Sequence, residues 1–224
     1  MTENQSRDEI CRIGKSLFDR GYVHGTAGNI SVRLAASDGG GFLMTPTDAC
    51  LGFLDPSKLA RLDASARQLS GDRASKSIAL HAGIYTAATR LDAQTCCVIH
   101  THSTHCVALS LQADSAELLP PVTPYFVMKV GRVPRIAYHH PGDPRAAQQV
   151  AQTIADYGRR GAPIRAVMLE RLGPHVWHQT PAATMATLEE LEETAKLWLL
   201  ANPKPEPLTE LQIDELRQRF GAHW

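Results

Sequence analysis

The sequence has no surplus of charge, no long apolar run and no paired cysteine pattern. Its 23 Lys and Arg balance 23 Asp and Glu, with a pI near 7.1. That balance gives no electrostatic footprint for nucleic acid or an anionic membrane. Nothing approaches the ~18 consecutive apolar residues of a membrane helix. The opening MTENQSRDEI is polar where a signal peptide carries its apolar stretch. Five cysteines, Cys11, Cys50, Cys96, Cys97 and Cys106, are odd in number and scattered through apolar contexts. They read as reduced, mostly buried thiols of a cytoplasmic protein. What is present, 43% hydrophobic and 21% charged residues over a length of 224, suits one soluble domain covering 1–224.

Hydrophobic spacing predicts a helix over 8–20 through Ile10, Ile13, Leu17 and Phe18, stopped at Gly21. The alternation Ile30, Val32, Leu34 predicts a strand, with Gly39-Gly40-Gly41 turning the chain into FLMTPT. A helix around Leu80, Ile84 and Tyr85 precedes the apolar run CCVIH, and a short helix follows through Val107 and Leu109. The proline-broken middle offers one strand at Val133–Tyr138, then a helix through Ala146–Tyr157 and an apolar strand IRAVML. Thr180-Pro181 is a strong helix start, and a last amphipathic helix begins near Leu208. Helices and short strands alternate without linker or repeat, which predicts an α/β domain with helices on both faces of a sheet.

Three motifs carry chemistry. In VIHTHSTH, residues 98–105, a strand would point His100 and His102 to one face, where two imidazoles can grip a divalent ion such as Zn²⁺. Two ligands alone do not complete a site. GTAGNIS offers a glycine turn whose backbone N–H groups, with the Asn29 amide, can cradle an anion; it can equally be a plain connection. SGDRASKS places Ser75, Lys76 and Ser77 at a helix start, favourable for an anion, although Ser75 could simply cap the helix. The Thr45 and Thr47 hydroxyls in MTPTD are open to the same two readings.

The order GTAGNIS, TPT, SGDRASK, a helix with His81 and Tyr85, then HTHST resembles the class II aldolase/adducin family. TPYFVMKVGRVP, HHPGD and LEELEETAKL extend the resemblance over about residues 8–218. It is closest to the branch of 3-oxo-tetronate 4-phosphate decarboxylases and fuculose-phosphate aldolases. The resemblance implies a three-layer α/β/α sandwich of nine-stranded type around a mixed, largely antiparallel sheet. It also implies a homotetramer with active sites shared between neighbours, and a Zn²⁺ or other divalent ion that stabilises an enediolate. By position, His100 and His102 match the metal ligands. Gly28, Asn29, Thr47, Ser75 and Lys76 match the phosphate site, and Tyr125 a tyrosine that handles a proton in a neighbouring subunit's site. Lys129 could neutralise a substrate carboxylate, or stand exposed like most lysines.

Three positions depart from the family. Ser77 stands at the catalytic glutamate, and a serine hydroxyl does not ionise near neutrality. Leu172 stands at the third histidine ligand, and Asp48 at a glycine beside the phosphate loop. His175 is the nearest substitute ligand, with the wrong strand parity relative to Leu172; His139 and His140 are further candidates. The sequence therefore predicts a metal-dependent carbon–carbon lyase, a decarboxylase or retro-aldolase, acting on a small oxo sugar acid or its phosphate. The rival is a non-catalytic, adducin-like binding or structural member, and a third reading is a metal-free enzyme using Lys76 and the histidines for acid–base work.

Overall fold

Thr2 begins the first helix with a capping box: its hydroxyl accepts from Gln5 N, and the Gln5 side chain returns to Thr2 N at 2.8 Å. Helix α1 (Glu3–Asp19) therefore starts earlier than the apolar spacing alone indicates. Its Ile10, Ile13 and Leu17 are fully buried against the sheet. The computed structural model describes residues 1–112 and 115–224.

Eight strands form one sheet: β1 (Asn29–Arg33), β2 (Phe42–Met44), β3 (Ala60–Leu62), β4 (Gln68–Ser70), β5 (Cys97–His100), β6 (Arg135–Ile136), β7 (Ala166–Leu169) and β8 (Gly173–His178). Their order is β4-β3-β2-β1-β5-β8-β7-β6. Every neighbouring pair is antiparallel except β6 and β7. The sheet is thus mixed and largely antiparallel, with eight strands among the described residues rather than nine.

The period-two alternation divides the core. Ile30, Val32, Cys97, Ile99 and Val176 face one way, with α1 and residues of α3 (Thr104–Gln112), α5 (Pro181–Leu200) and α6 (Glu210–Phe220). Val98, Val167 and Trp177 face the other, under α2 (Ile78–Ala88) and α4 (Pro144–Arg159). The three-layer arrangement follows. No described helix is long and apolar enough to cross a membrane.

Some elements differ from their sequence signals. The strand expected at Val133–Tyr138 is only β6, because Pro134 has no N–H to give a ladder; its carbonyl instead accepts from Met168 N at 2.9 Å. The β3–β4 hairpin had no apolar signal, since all of β4 is exposed. Its turn is organised by Asp63, whose Oδ1 accepts from Ser65 N and Arg67 N. Residues Phe126–Val130 make a π-helical turn.

The hairpin between β7 and β8 sets the floor of the site. Arg171 turns it at φ 64, and Gly173 follows at φ 139. A Cβ on Gly173 would lie 2.0 Å from Thr101 O, so only glycine lets β8 start against the end of β5.

Candidate active site

Strand register builds the site. Asn29 pairs with His100 across β1 and β5, and His100 pairs with His175 across β5 and β8. Paired residues share a sheet face, so the three form a row beneath the start of α2. Above it opens a cavity of about 330 Å³, bounded by the Gly28 turn, the Ser75–Ser77 segment and the start of α4. Gly28 (φ 85) approaches so closely that a Cβ would lie 2.9 Å from His100 O.

The imidazoles are the densest feature. His100 Nδ1 lies 2.9 Å from Pro174 O. A carbonyl can only accept, so Nδ1 carries the proton and Nε2 is left with its lone pair. His102 is next to it, with ring centroids 4.9 Å apart and planes at 61°. His175 lies flat against His100, at 4.0 Å and 15°. It is buried, and among the described residues neither of its ring nitrogens has a partner. His81, from α2, meets the His175 ring edge-on at 5.7 Å. His81 Nδ1 is 2.7 Å from Ser31 Oγ, which lies 2.8 Å from Tyr85 Oη. Burial, and then the neighbouring imidazoles, hold His81 and His100 down to about 3 and His175 well below the usual histidine range. His102 is lowered too, by burial and by His24, whose ring is 6.4 Å away. The cluster is neutral at physiological pH.

Opposite the imidazoles is the anion side. Thr47 N donates to Arg73 O and Ser75 N to Thr45 O, which brings the TPT turn against the start of α2. Thr45 is fully buried and its hydroxyl accepts from Ile30 N, so of its two readings the structural one holds. Thr47, Ser75 and Lys76 line the cavity with Gly28 and Asn29. Ser75 Oγ accepts from Ser77 N, Ser77 is the N-cap residue, and Asn29 Nδ2 donates to Ser77 Oγ at 3.2 Å. Asn29 Oδ1 is buried, with no partner among the described residues. Asp48 also lines the cavity and holds a left-handed φ of 57, the conformation a glycine would adopt freely.

Tyr125 and Lys129 are not among the residues lining this cavity. Tyr125 is 62% exposed at the start of the π-helical turn. Lys129 is exposed and near enough to influence His178, at the far end of β8 from His175. His139 and His140 do line the cavity wall, where His139 Nδ1 lies 3.1 Å from Asp143, the N-cap of α4.

His175 is brought to the cavity because Leu172 lies in the β7–β8 turn rather than in a strand. The expected parity mismatch with Leu172 therefore does not arise. Even so, rings stacked in parallel direct their in-plane lone pairs side by side, so His175 and His100 do not converge on one ion. Ser77 and Leu172 add no donor of the carboxylate or imidazole kind. Among the described residues no group of three or more His, Cys, Asp and Glu is arranged to hold a metal ion. The donor set, two neighbouring imidazoles, does not fit a catalytic zinc site with its usual three protein ligands.

The sequence motifs gave no role to His81, His24 or Glu192. Buried Glu192 reaches from α5 to cap α3: its oxygens accept from His105 N and Cys106 N at 3.0 Å, and from His105 Nδ1 at 2.8 Å. The cap fixes the chain immediately after His102.

The three-layer sandwich sets an H-x-H strand end across one cavity from a glycine turn and a helix start. Residues 8–199 match the Class II Aldolase and Adducin N-terminal domain, and the chain belongs to that family. Among its relatives, the 3-oxo-tetronate 4-phosphate decarboxylase of Cupriavidus necator is 48% identical over 100% of this chain and 99% of its own length. The enzyme of that name from Escherichia coli K12 is 42% identical, with 96% of each chain covered. The L-fuculose phosphate aldolase of Methanocaldococcus jannaschii is 30% identical over 87% of this chain and 96% of its own. By name these relatives are carbon–carbon lyases. The crystal structure of YgbL from Escherichia coli superposes with a TM-score of 0.84 at 40% identity, covering 96% of this chain and 99% of that one.

Proposed function

We propose that this chain is a carbon–carbon lyase that decarboxylates a small 3-oxo sugar acid carrying a phosphate. One observation carries the reading: the anion cradle of Asn29, Thr47, Ser75 and Lys76 opens into the same cavity as His100 and His102. A phosphate held at the start of α2 by Lys76 and free helix N–H groups would direct the rest of a four-carbon chain toward the imidazoles. In a 3-oxo acid the C1–C2 bond breaks, CO₂ leaves, and the electron pair enters the C3 carbonyl as an enolate. C2 then takes a proton. Such a reaction needs charge stabilisation and a proton donor but no base to begin it, which suits a site with Ser77 where a glutamate is expected.

His100 Nε2, with its lone pair free, would accept from a substrate hydroxyl. Tyr125 would supply the proton from a neighbouring subunit; its exposure, and its place outside its own chain's cavity, support a homotetramer with shared sites. Metal dependence, suggested by the resemblance, would have only His100 and His102 to rest on. The free thiols suit a cytoplasmic location.

The test is CO₂ release from 3-oxo-tetronate 4-phosphate, with and without added zinc or manganese. Release well above the spontaneous rate, strongly reduced in Lys76→Ala, is the expected result. No release from folded protein that still binds phosphate would favour the non-catalytic, adducin-like reading, which Ser77 and Leu172 support.

A further inference from the structure

We propose that a second cavity, at the opposite end of the sheet, is an independent binding site for a small carboxylate or phosphate anion. It has a volume of about 280 Å³ and lies between the start of β7, the end of β8, the α2–β5 connection and the C-terminal tail. It shares no lining residue with the cavity over His100.

Arg165 is the reason to expect a ligand. It is half-buried, yet among the described residues no acceptor lies within hydrogen-bond or ion-pair distance of its guanidinium. Its nitrogens keep some access to solvent, so the guanidinium is both without a protein counter-charge and open to an ion entering the cavity. Asp92 is the acid lining this cavity, but its two oxygens are engaged elsewhere. Oδ1 accepts from Gln94 N at 3.1 Å and Oδ2 from Gln179 Nε2 at 3.0 Å.

The other groups here favour an anion as well. His178 Nδ1 accepts from Gln179 N at 2.8 Å, so its ring proton is on Nε2, which is left as a donor. His223 lines the cavity from the tail, and Lys129 is close enough to lower the pKa of His178, as is Arg165. Burial lowers the pKa of Arg165 while Asp92 opposes, which accords with a charge waiting for a counter-ion. Arg165 and His178 thus line the cavity beside one occupied acid, with His223 at its edge and Lys129 near His178. A planar guanidinium fork pairs with two oxygens of a carboxylate or phosphate, and the cavity suits an ion of a few heavy atoms.

Calorimetric titration of the full chain, in its native assembly, with inorganic phosphate and separately with malonate tests this. An anion-binding component should survive Lys76→Ala and weaken by about tenfold or more in Arg165→Gln, with partial recovery in Arg165→Lys. His178→Phe, which removes the Nε2 donor, should weaken the same component and carries the test if Arg165→Gln does not fold. No binding by either anion, complete loss of binding in Lys76→Ala, or an unchanged isotherm in both Arg165→Gln and His178→Phe would overturn the proposal.

Discussion

His175 lies face to face with His100, ring centroids 4.0 Å apart and planes 15° from parallel. The arrangement follows from register, since the two residues are directly paired across β5 and β8. It leaves both nitrogens of His175 sealed from solvent and without a hydrogen bond among the described residues. Buried polar atoms without partners typically cost about 1–3 kcal/mol. The pocket floor therefore carries an imidazole that costs stability and supports His100 from behind, which is what a site tuned for function rather than stability shows.

Replacing His175 with leucine should accordingly cost little or stabilise the fold. His175→Leu removes two unsatisfied polar atoms and keeps an apolar side chain of similar size. Urea denaturation should show stability unchanged or raised by about 1 kcal/mol, while turnover falls as His100 loses its backing. A loss above about 2 kcal/mol would mean that His175 has a partner in solution.

The neutral cluster makes stability depend on acid. His81 and His100 are held at about 3 in the fold against roughly 6.5 in an unfolded chain. Below that upper value the unfolded state takes up protons that the native state refuses, so stability is intact above about pH 6.5 and falls toward pH 3. Each site steepens the fall by up to about 1.4 kcal/mol per pH unit. His81→Gln should flatten the slope between about pH 6 and 4 by that amount. An unchanged slope would show that His81 protonates in the native state.

The local parts of the site were legible in the sequence and the long-range parts were not. Asn29, Lys76, His100 and His102 sit in short motifs whose chemistry is local, and the fold brings them to one cavity. The approach of His81 and His175 depends on pairing β5 with β8 and on packing α2 over both, which no short window encodes. The sequence offers His175 as a substitute ligand of the wrong strand parity relative to Leu172; Arg171 at φ 64 ends β7 in a turn, so that parity does not apply. Strand β4, exposed throughout, lacks the alternation that reveals a half-buried strand.

Glu192 should matter beyond its own helix. Its carboxylate caps α3 through two backbone N–H groups and the His105 ring. Glu192→Gln keeps the shape but removes the charge facing a helix N-terminus, and should cost about 1–3 kcal/mol. The loosened α3 start should raise KM more than it lowers kcat. Wild-type stability would contradict the capping role.

Asp48 opposes the anion that its neighbours favour. Two charges ~6 Å apart at an effective dielectric near 20 interact by about 2–3 kcal/mol, and the exposure of Asp48 reduces that. Because its φ is already 57, glycine fits there without strain. Asp48→Gly should tighten phosphate binding by up to about tenfold, seen as a larger phosphate-induced rise in Tm. An unaltered rise would place the Asp48 carboxylate away from the bound anion.

Ser77 and Leu172 both line the cavity that His100 and His102 face, so the missing donor types can be returned to it. Ser77→Glu would put a carboxylate at the start of α2, in place of the hydroxyl that now accepts from Asn29 Nδ2. Leu172→His would put an imidazole at the turn into Gly173, on the opposite wall. With His100 Nε2 already free, the double variant would offer up to four protein ligands instead of two, passing the three that catalytic zinc ordinarily requires. Elemental analysis after dialysis against micromolar zinc should find near one ion per chain in the double variant and much less in wild type. The single variants should fall between, since each supplies one further donor. Equal metal content in the double variant and wild type would show that these two positions do not face the imidazole pair, and would remove the structural reason for linking their replacement to a weakened metal site.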